Sequence, residues 1–291
     1  MKARDAWQLA RGGNSLMAGL GAIVGGVVLG GSPGDLHVWA AFLATAFIGA
    51  AGNILNDQTD EELDKVAHPE RPLPSGRATR KGSNRLFIVC CMTGFLAAFA
   101  SGGSHGNRLV LFAFANLTLL LVYERFLKKR GLPGNVLIAL LVASTFPFGA
   151  LAVADRVVAP QWLPVAAVAL LAFLVNVARE LLKDVEDMTA DRGKRTTVPL
   201  QHGPLATAWG ALALVAVADG AAFALANHPP PGWWAGFGSL LKGALVVIAI
   251  AGIAGLQRPA AAQRILKFGM AIALLAFLGG PLVPALLAPA G

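Results

Sequence analysis

Asp57, Asp60 and Asp64 stand at i, i+3 and i+7, and Asp184, Asp187 and Asp191 repeat that spacing later in the chain. At roughly 100° per residue, each trio falls within an arc of about 60° on a helix. Carboxylates stacked on one face repel each other, and at a helix C-terminus the dipole disfavours them further. Such a pattern calls for a cation. The ligands are all oxygen, which suits Mg²⁺, an ion that keeps several waters and is held by a few carboxylates together with substrate phosphates. The alternating oxygen ligands and central glycine of a calcium loop are not found. Two such rows facing each other would hold Mg²⁺ against a diphosphate. The rows also account for most of the acid in the chain: eleven of its sixteen Asp and Glu lie in 57–70 and 180–191.

A diphosphate needs cations on its remaining oxygens. Arg179 and Lys183 are spaced i, i+4 beside the second trio, Lys65 and Arg71 follow the first, and Lys128 ends an apolar run. Arginine suits planar, multi-donor contacts to phosphate. The amides Asn53 and Asn56, just ahead of the first trio, and Asn176 join the substrate-side candidates, with Asn56 also a metal candidate. Against each basic residue stands the plainer reading of an ordinary loop cation, and against each trio that of a solvated acidic loop. The adjacent Cys90 and Cys91 form neither a disulfide framework nor a metal knuckle, and the five His are scattered without ligand spacing.

The elements that position these residues follow from composition. Of 291 residues 56% are hydrophobic and 14% charged, whereas soluble domains carry about 25% charged residues. The chain therefore reads as an integral membrane protein, all-α and polytopic. Runs of ~20 apolar residues predict nine spans at about 14–31, 36–56, 86–103, 109–127, 134–154, 160–182, 205–226, 234–256 and 265–287. The basic N-terminal stretch ahead of the first run is read as part of a retained first helix, because no small-residue cleavage site follows. With the N-terminus cytoplasmic, all the Lys and Arg except Arg108, Arg156 and Lys242 fall on the cytoplasmic side, Lys194 among them. Both aspartate trios then end spans at that face. The +8 net charge is topology together with attraction to anionic membrane lipids, and calls for no nucleic acid. The expected organisation is one membrane domain over 1–291, with cytoplasmic cap loops at about 57–85 and 184–204.

A diphosphate held at a membrane surface beneath an apolar bundle implies a prenyl diphosphate donor and a hydrophobic acceptor. The metal would neutralise the leaving group, and the dry cavity would shield an allylic cation. The alternative from another class is a transporter, for which the intramembrane Asp219 is the main evidence. Asn116 and Asn176, also within spans, suit helix-packing hydrogen bonds equally well. A scaffold that binds prenyl lipid without turning it over is a third reading.

The segment "NDQTDEELD" (56–64) resembles the first aspartate motif of the UbiA superfamily of intramembrane prenyltransferases, and "DVEDMTAD" (184–191) resembles the second. "RPLPSGR" (71–77) looks like the loop that follows the first motif. The resemblance implies a nine-helix bundle around a central cavity capped by cytoplasmic loops. Carried over, Asn56, Asp57, Asp60, Asp64, Asp184, Asp187 and Asp191 would hold Mg²⁺ and the diphosphate. Asn14 matches a first-span Asn, although the Arg-Pro usual before it is here Gly12-Gly13. Tyr123 matches a fourth-span Tyr that many members follow, four residues on, with a Lys; here position 127 is Leu and the Lys is Lys128. "RELLKDVEDMTAD", "RPLPSGRATR" and "YERFLKKRGLPGN" look most like the digeranylgeranylglyceryl phosphate synthase branch. That branch transfers geranylgeranyl from its diphosphate to the hydroxyl of geranylgeranylglyceryl phosphate. An aromatic acceptor, a quinone precursor or a chlorophyllide, is the runner-up.

Overall fold

The computed structural model describes residues 1–193, 195–230 and 232–287, so Lys194 lies outside the described residues. Within them every regular element is helical. In chain order these are α1 (Ala3–Leu9), α2 (Gly12–Leu29), α3 (Leu36–Thr59), α4 (Glu61–Ala67), α5 (Arg80–Ser101), α6 (Gly106–Val122), α7 (Leu132–Ala143), α8 (Thr145–Val153), α9 (Trp162–Asp191), α10 (Val198–His202), α11 (Pro204–Asn227), α12 (Phe237–Ala254) and α13 (Pro259–Leu287). A π-helical turn, Tyr123–Leu127, extends α6. Nine helical stretches among the described residues are long and apolar enough to cross a membrane, with α7 and α8 together making the fifth. The protein is an integral, multi-pass membrane protein.

Contacts at the two ends of the bundle confirm the alternation of the spans. At one end, hereafter the mouth, Arg77 reaches Asp5, Arg11 reaches Asp57, and Arg195 reaches Asp60 at 2.7–2.8 Å, while Gln263 hydrogen-bonds Glu186. At the opposite end His105 pairs with Asp155 at 2.7 Å, the Gln161 N–H bonds the Leu29 carbonyl at 2.9 Å, and His37 Nδ1 lies 2.9 Å from the Ser101 carbonyl. Lys242 belongs to that far end, its ammonium 5.4 Å from the centre of the Phe223 ring.

Several spans depart from the apolar-run boundaries: the third begins at Arg80 instead of 86 and the ninth at Pro259 instead of 265. The sixth continues from the predicted 182 to Asp191, so the whole second trio rides on one unbroken helix. Hydropathy ends a span at the first charges, but backbone hydrogen bonding does not stop there. The fifth breaks at Ser144. Pro147 has no N–H to offer the Ala143 carbonyl, and the Ser144 hydroxyl lies 2.7 Å from both the Leu141 carbonyl and Asn116 Oδ1. Asn116 is thus a helix-packing residue, its own amide donating to the Phe112 carbonyl at 3.0 Å.

Within lipid the helices cannot gain by burying apolar surface against water, so close backbone approach matters more. The tightest crossing lies between α2 and α8. A Cβ on Gly25 would run into the Phe146 carbonyl, and one on Gly149 into the Ala22 carbonyl. Large side chains such as Leu96, Phe114 and Ile253 face outward instead, where hydrocarbon is their solvent. At the far end Trp233, Phe237 and Phe277 stack edge to face, with centroids 4.8 and 5.5 Å apart between successive rings.

Gly149→Val should lower stability by about 1–3 kcal/mol or more through overpacking. Thermal unfolding in detergent is the measurement. Gly243→Ala, where a Cβ meets nothing within 4 Å, should unfold at the wild-type temperature.

Candidate active site

The site is assembled where α3 and α9 end, each carrying aspartates of one trio. α3 carries Asn56 and Asp57 on its last turn and stops at Asp60, whose φ −89° and ψ 3° leave the helical basin before α4 takes over with Asp64. The first trio is therefore bent at its middle member. Asp57 and Asp64 look to the same cation: Arg71 Nη1 lies 2.6 Å from Asp64 Oδ2 and 4.0 Å from Asp57 Oδ1. Asp60 turns elsewhere, accepting from Lys128 Nζ on one oxygen and Arg195 Nη2 on the other, both at 2.8 Å. Burial alone would raise its pKa, but the charge and hydrogen bond of Lys128, then Arg195 and Lys183, outweigh this and hold it below the ordinary value. For Asp64 burial wins over Arg71, and its carboxyl is pushed up.

The second trio sits on the last turns of α9. Asp184 Oδ2 accepts from Asn135 Nδ2 of α7 at 2.8 Å, Asp187 faces the cavity, and buried Asp191 lies 3.5 Å from Arg195 Nε. Arg195 therefore touches both rows at once. It stands between α9 and α10 in a segment fixed by the bond from the Thr196 N–H to the Lys129 carbonyl at 3.0 Å. The two rows meet at Arg195 at the mouth end of the bundle, and they reach the cavity lining through Asn56 and Asp187.

Lys128 reaches Asp60 because of the π turn. Its N–H bonds the Tyr123 carbonyl five residues back, at 2.8 Å, instead of four. The extra residue in this turn brings the fifth position after Tyr123 to the place the fourth would hold in an α-helix. The shifted Lys noted in the sequence is thereby returned to the site. Its ammonium, 6% exposed, also pairs with Glu124 Oε2 at 2.7 Å, and Glu124 Oε1 accepts from Asn56 at 2.8 Å.

Above the mouth a cavity of about 1170 Å³ runs into the bundle, larger than the ~300–1,000 Å³ of ordinary small-molecule sites. Its deep wall is apolar and includes Phe146, Phe148, Leu241, Leu245 and Phe277. Phe277 lies eighteen residues along α13 from its start, about 27 Å at 1.5 Å per residue. The polar lining is confined largely to the mouth: Arg11, Asn14, Asn53, Asn56, Arg71, Tyr123, Asn176, Arg179, Glu180, Lys183, Asp187 and Lys267. Deeper in the wall, polar groups still occur at Thr45, Asn116, Ser144 and Thr145, and Asp219 on α11 is the charged residue among them.

The remaining candidates are placed as follows. Asn53 donates to the Ala10 carbonyl at 3.1 Å and to Ser15 Oγ at 3.3 Å, so it anchors the α1–α2 turn while lining the cavity. Asn176 donates to the carbonyl of Ala172 at 2.8 Å. Arg179 Nη1 bonds Glu180 Oε1 at 2.6 Å, yet its Nε is buried in the cavity wall without a partner among the described residues. Lys183 lies 3.7 Å from Glu180. Lys65 is tied to Glu62 one turn back on α4 at 2.6 Å, with half of its side chain exposed. A local i, i+3 pair decides its direction.

Several residues escaped the sequence reading. Arg11, read there only as a topology cation, takes a left-handed backbone (φ 44°) ahead of α2 and donates to Asn56 at 2.8 Å and Asp57 at 2.7 Å. Burial weakens its charge, but Asp57 outweighs that and its pKa is raised. Asn135, Glu124, Arg195 and Lys267 were likewise unassigned. For Glu124 and Lys267 a signal existed, since both fall inside predicted spans, where a charge is functional by default.

Among the described residues no three carboxylate, imidazole or thiol groups converge as a ready metal site. The donor set of the two rows nonetheless fits Mg²⁺, being all oxygen and able to supply a few carboxylates each.

Comparison with known proteins agrees with this geometry. Residues 18–275 match the model of the UbiA prenyltransferase family. The digeranylgeranylglyceryl phosphate synthase of Methanopyrus kandleri is 36% identical over 278 residues, covering 93% of this chain and 97% of that protein. A solved structure concerning digeranylgeranylglyceryl phosphate synthase in membranes superposes with TM-score 0.71 at 25% identity, over 96% of this chain and 98% of the other. A UbiA homologue from Archaeoglobus fulgidus, solved bound to GPP and Mg²⁺, gives TM-score 0.63 at 16% identity, over 92% and 99%.

Lys128→Met would leave Asp60 with Arg195 alone and strand buried Glu124. The expected loss is about 3–5 kcal/mol of stability, read from thermal unfolding. Adding Glu124→Gln should recover part of it, which a single-site packing defect would not allow.

Proposed function

Because this chain belongs to the UbiA prenyltransferase family, and is therefore an enzyme that transfers prenyl groups within the membrane, we propose that it alkylates the free hydroxyl of geranylgeranylglyceryl phosphate with geranylgeranyl diphosphate, releasing diphosphate. The observation that carries the reading is the pair of aspartate rows drawn to one mouth, with Arg195 touching both, beneath a long apolar cavity. The choice of acceptor is supported by relatives named for that activity, one of them 36% identical over nearly its whole length. The same comparisons favour the enzyme over a transporter. They also favour a glyceryl phosphate acceptor over an aromatic one.

In this reading Asn56, Asp57, Asp60 and Asp64 on one side, and Asp184, Asp187 and Asp191 on the other, hold Mg²⁺. When bound, the metal neutralises the leaving diphosphate and weakens its bond to the allylic carbon. The chain's own cations complete the grip. An arginine has five N–H donors, and Arg11, Arg71 and Arg195 each spend only part of theirs on carboxylates. The rest can take phosphate oxygens without releasing the aspartates. Lys183 lies along the same wall.

The prenyl tail extends between α2, α9, α11, α12 and α13 toward Phe277. The mainly apolar wall there, Asp219 apart, limits the water that reaches the allylic cation. As the C–O bond lengthens, the acceptor oxygen attacks the same carbon, and its proton leaves through the polar mouth. Lys and Arg gather at the mouth, and by the positive-inside rule the mouth and the N-terminus face the cytoplasm.

The test is incubation of the enzyme in lipid nanodiscs with labelled geranylgeranyl diphosphate and a panel of glyceryl and aromatic acceptors, with products weighed by mass spectrometry. Alkylated glyceryl phosphate is expected with Mg²⁺ and none after chelation. Asp60→Asn and Asp187→Asn should each slow diphosphate release roughly 10²–10³-fold. Turnover unchanged in both variants would reject the metal assignment, and an exclusively aromatic product would reject the acceptor.

A further inference from the structure

We propose that Lys267, together with Asn14 and Arg179, seats the phosphomonoester of the acceptor, at a position separate from the two aspartate rows; this rests on the glyceryl phosphate reading above. The starting observation is a difference in how the mouth cations are compensated. Arg11, Arg71, Lys128 and Arg195 each lie 2.6–2.8 Å from a carboxylate. Lys267 makes no ion pair among the described residues, and its one hydrogen bond is to the neutral amide oxygen of Asn14, at 3.4 Å.

The surroundings do not relieve it. Arg179, Arg11 and Lys183 are near enough to act on its charge. The nearby Glu180 is already held by Arg179 at 2.6 Å and flanked by Lys183 at 3.7 Å. Glu186, one helix away, is engaged by Gln263. Arg179 adds a buried, unpartnered Nε in the same cavity wall. Lys267 also sits eight residues inside α13, about 12 Å from its start. It is thus displaced from the loop region where ordinary topology cations lie. Lys267 is exposed to the cavity it lines, and several cations gathered on one wall make a positive potential that attracts an anion.

The chemistry of the acceptor explains why a second anion site is needed. Its phosphate and its free hydroxyl hang from the same three-carbon glycerol. When the hydroxyl is close enough to attack the carbon that carries the diphosphate, the phosphate must lie at nearly the same depth. Two phosphate groups side by side repel unless each has its own cations. The α2–α13 wall contributes no aspartate to either row, so the cation it presents is free for the second of them. Arg11, bonded to Asn56 and Asp57, lines the same cavity as Lys267.

The experiment compares geranylgeranylglyceryl phosphate with its unphosphorylated counterpart as acceptors, using the full chain in nanodiscs with Mg²⁺ and geranylgeranyl diphosphate. Wild type is expected to prefer the phosphorylated acceptor in kcat/KM. Lys267→Met should cut that preference by at least about tenfold, with the rise in KM confined to the phosphorylated acceptor and the donor KM changed less than about twofold. Lys267→Arg should keep most of the preference. An intact preference in Lys267→Met, or a donor KM that rises in step with the acceptor's, would overturn the proposal. So would a wild-type enzyme that does not discriminate between the two acceptors, a result that needs no variant to fold. Failure of wild type to use either glyceryl acceptor would strike the underlying reading instead.

Discussion

Asp60 is gripped from two sides, by Lys128 at the end of the fourth span and by Arg195 just beyond the sixth. The rest of the mouth depends on that contact. Removing a carboxylate from water costs several kcal/mol unless its charge is answered at close range. Here the answer comes from two elements distant in sequence, so neutralising one buried group also fixes three helix ends relative to one another. The same cations bring Asn56, Glu124 and Asp191 into register. The acidic stripes, unfavourable in isolation, become the joint at which the bundle is held together.

Lipid imposes the second constraint. Since hydrocarbon gives no hydrophobic reward for packing helix on helix, the bundle relies on close backbone crossings, as where Gly25 and Gly149 meet carbonyls of the opposite helix. Tight packing of α2 against α8 coexists with a wide cavity bordered by α9, α11, α12 and α13. At the break beside Pro147 the Ser144 hydroxyl lies within hydrogen-bond distance of the Leu141 carbonyl and Asn116 Oδ1, which ties α6 to the fifth span. The cavity gathers its charge at one end and is mainly apolar along its length, Asp219 apart, a distribution that suits a diphosphate with a long isoprenoid tail.

Much of this was legible in the sequence. The spacing of the two trios, the nine apolar runs and the one-sided distribution of Lys and Arg are local or compositional properties, and helical periodicity together with the cost of charge in hydrocarbon turns them directly into architecture. The far-end location of Lys242 and the packing role of Asn116 followed from the same rules. Local spacing alone does not show partners: Lys65 stands beside the first trio, and in the fold its ammonium pairs with Glu62 on α4.

What only the tertiary structure decided was direction. Tyr123 and Lys128 look out of step as letters, and the π turn restores them by adding one residue to the helical repeat. Whether Arg11, Arg195 or Lys267 is a topology cation or a site residue depends on which way its helix end faces. That is set by packing among segments far apart in the chain, and no spacing rule records it. The sequence by itself determined the charges, the spans and their order. The fold alone chose which charges would meet, because pairing energies act through distances of a few ångströms that exist only once the helices are assembled.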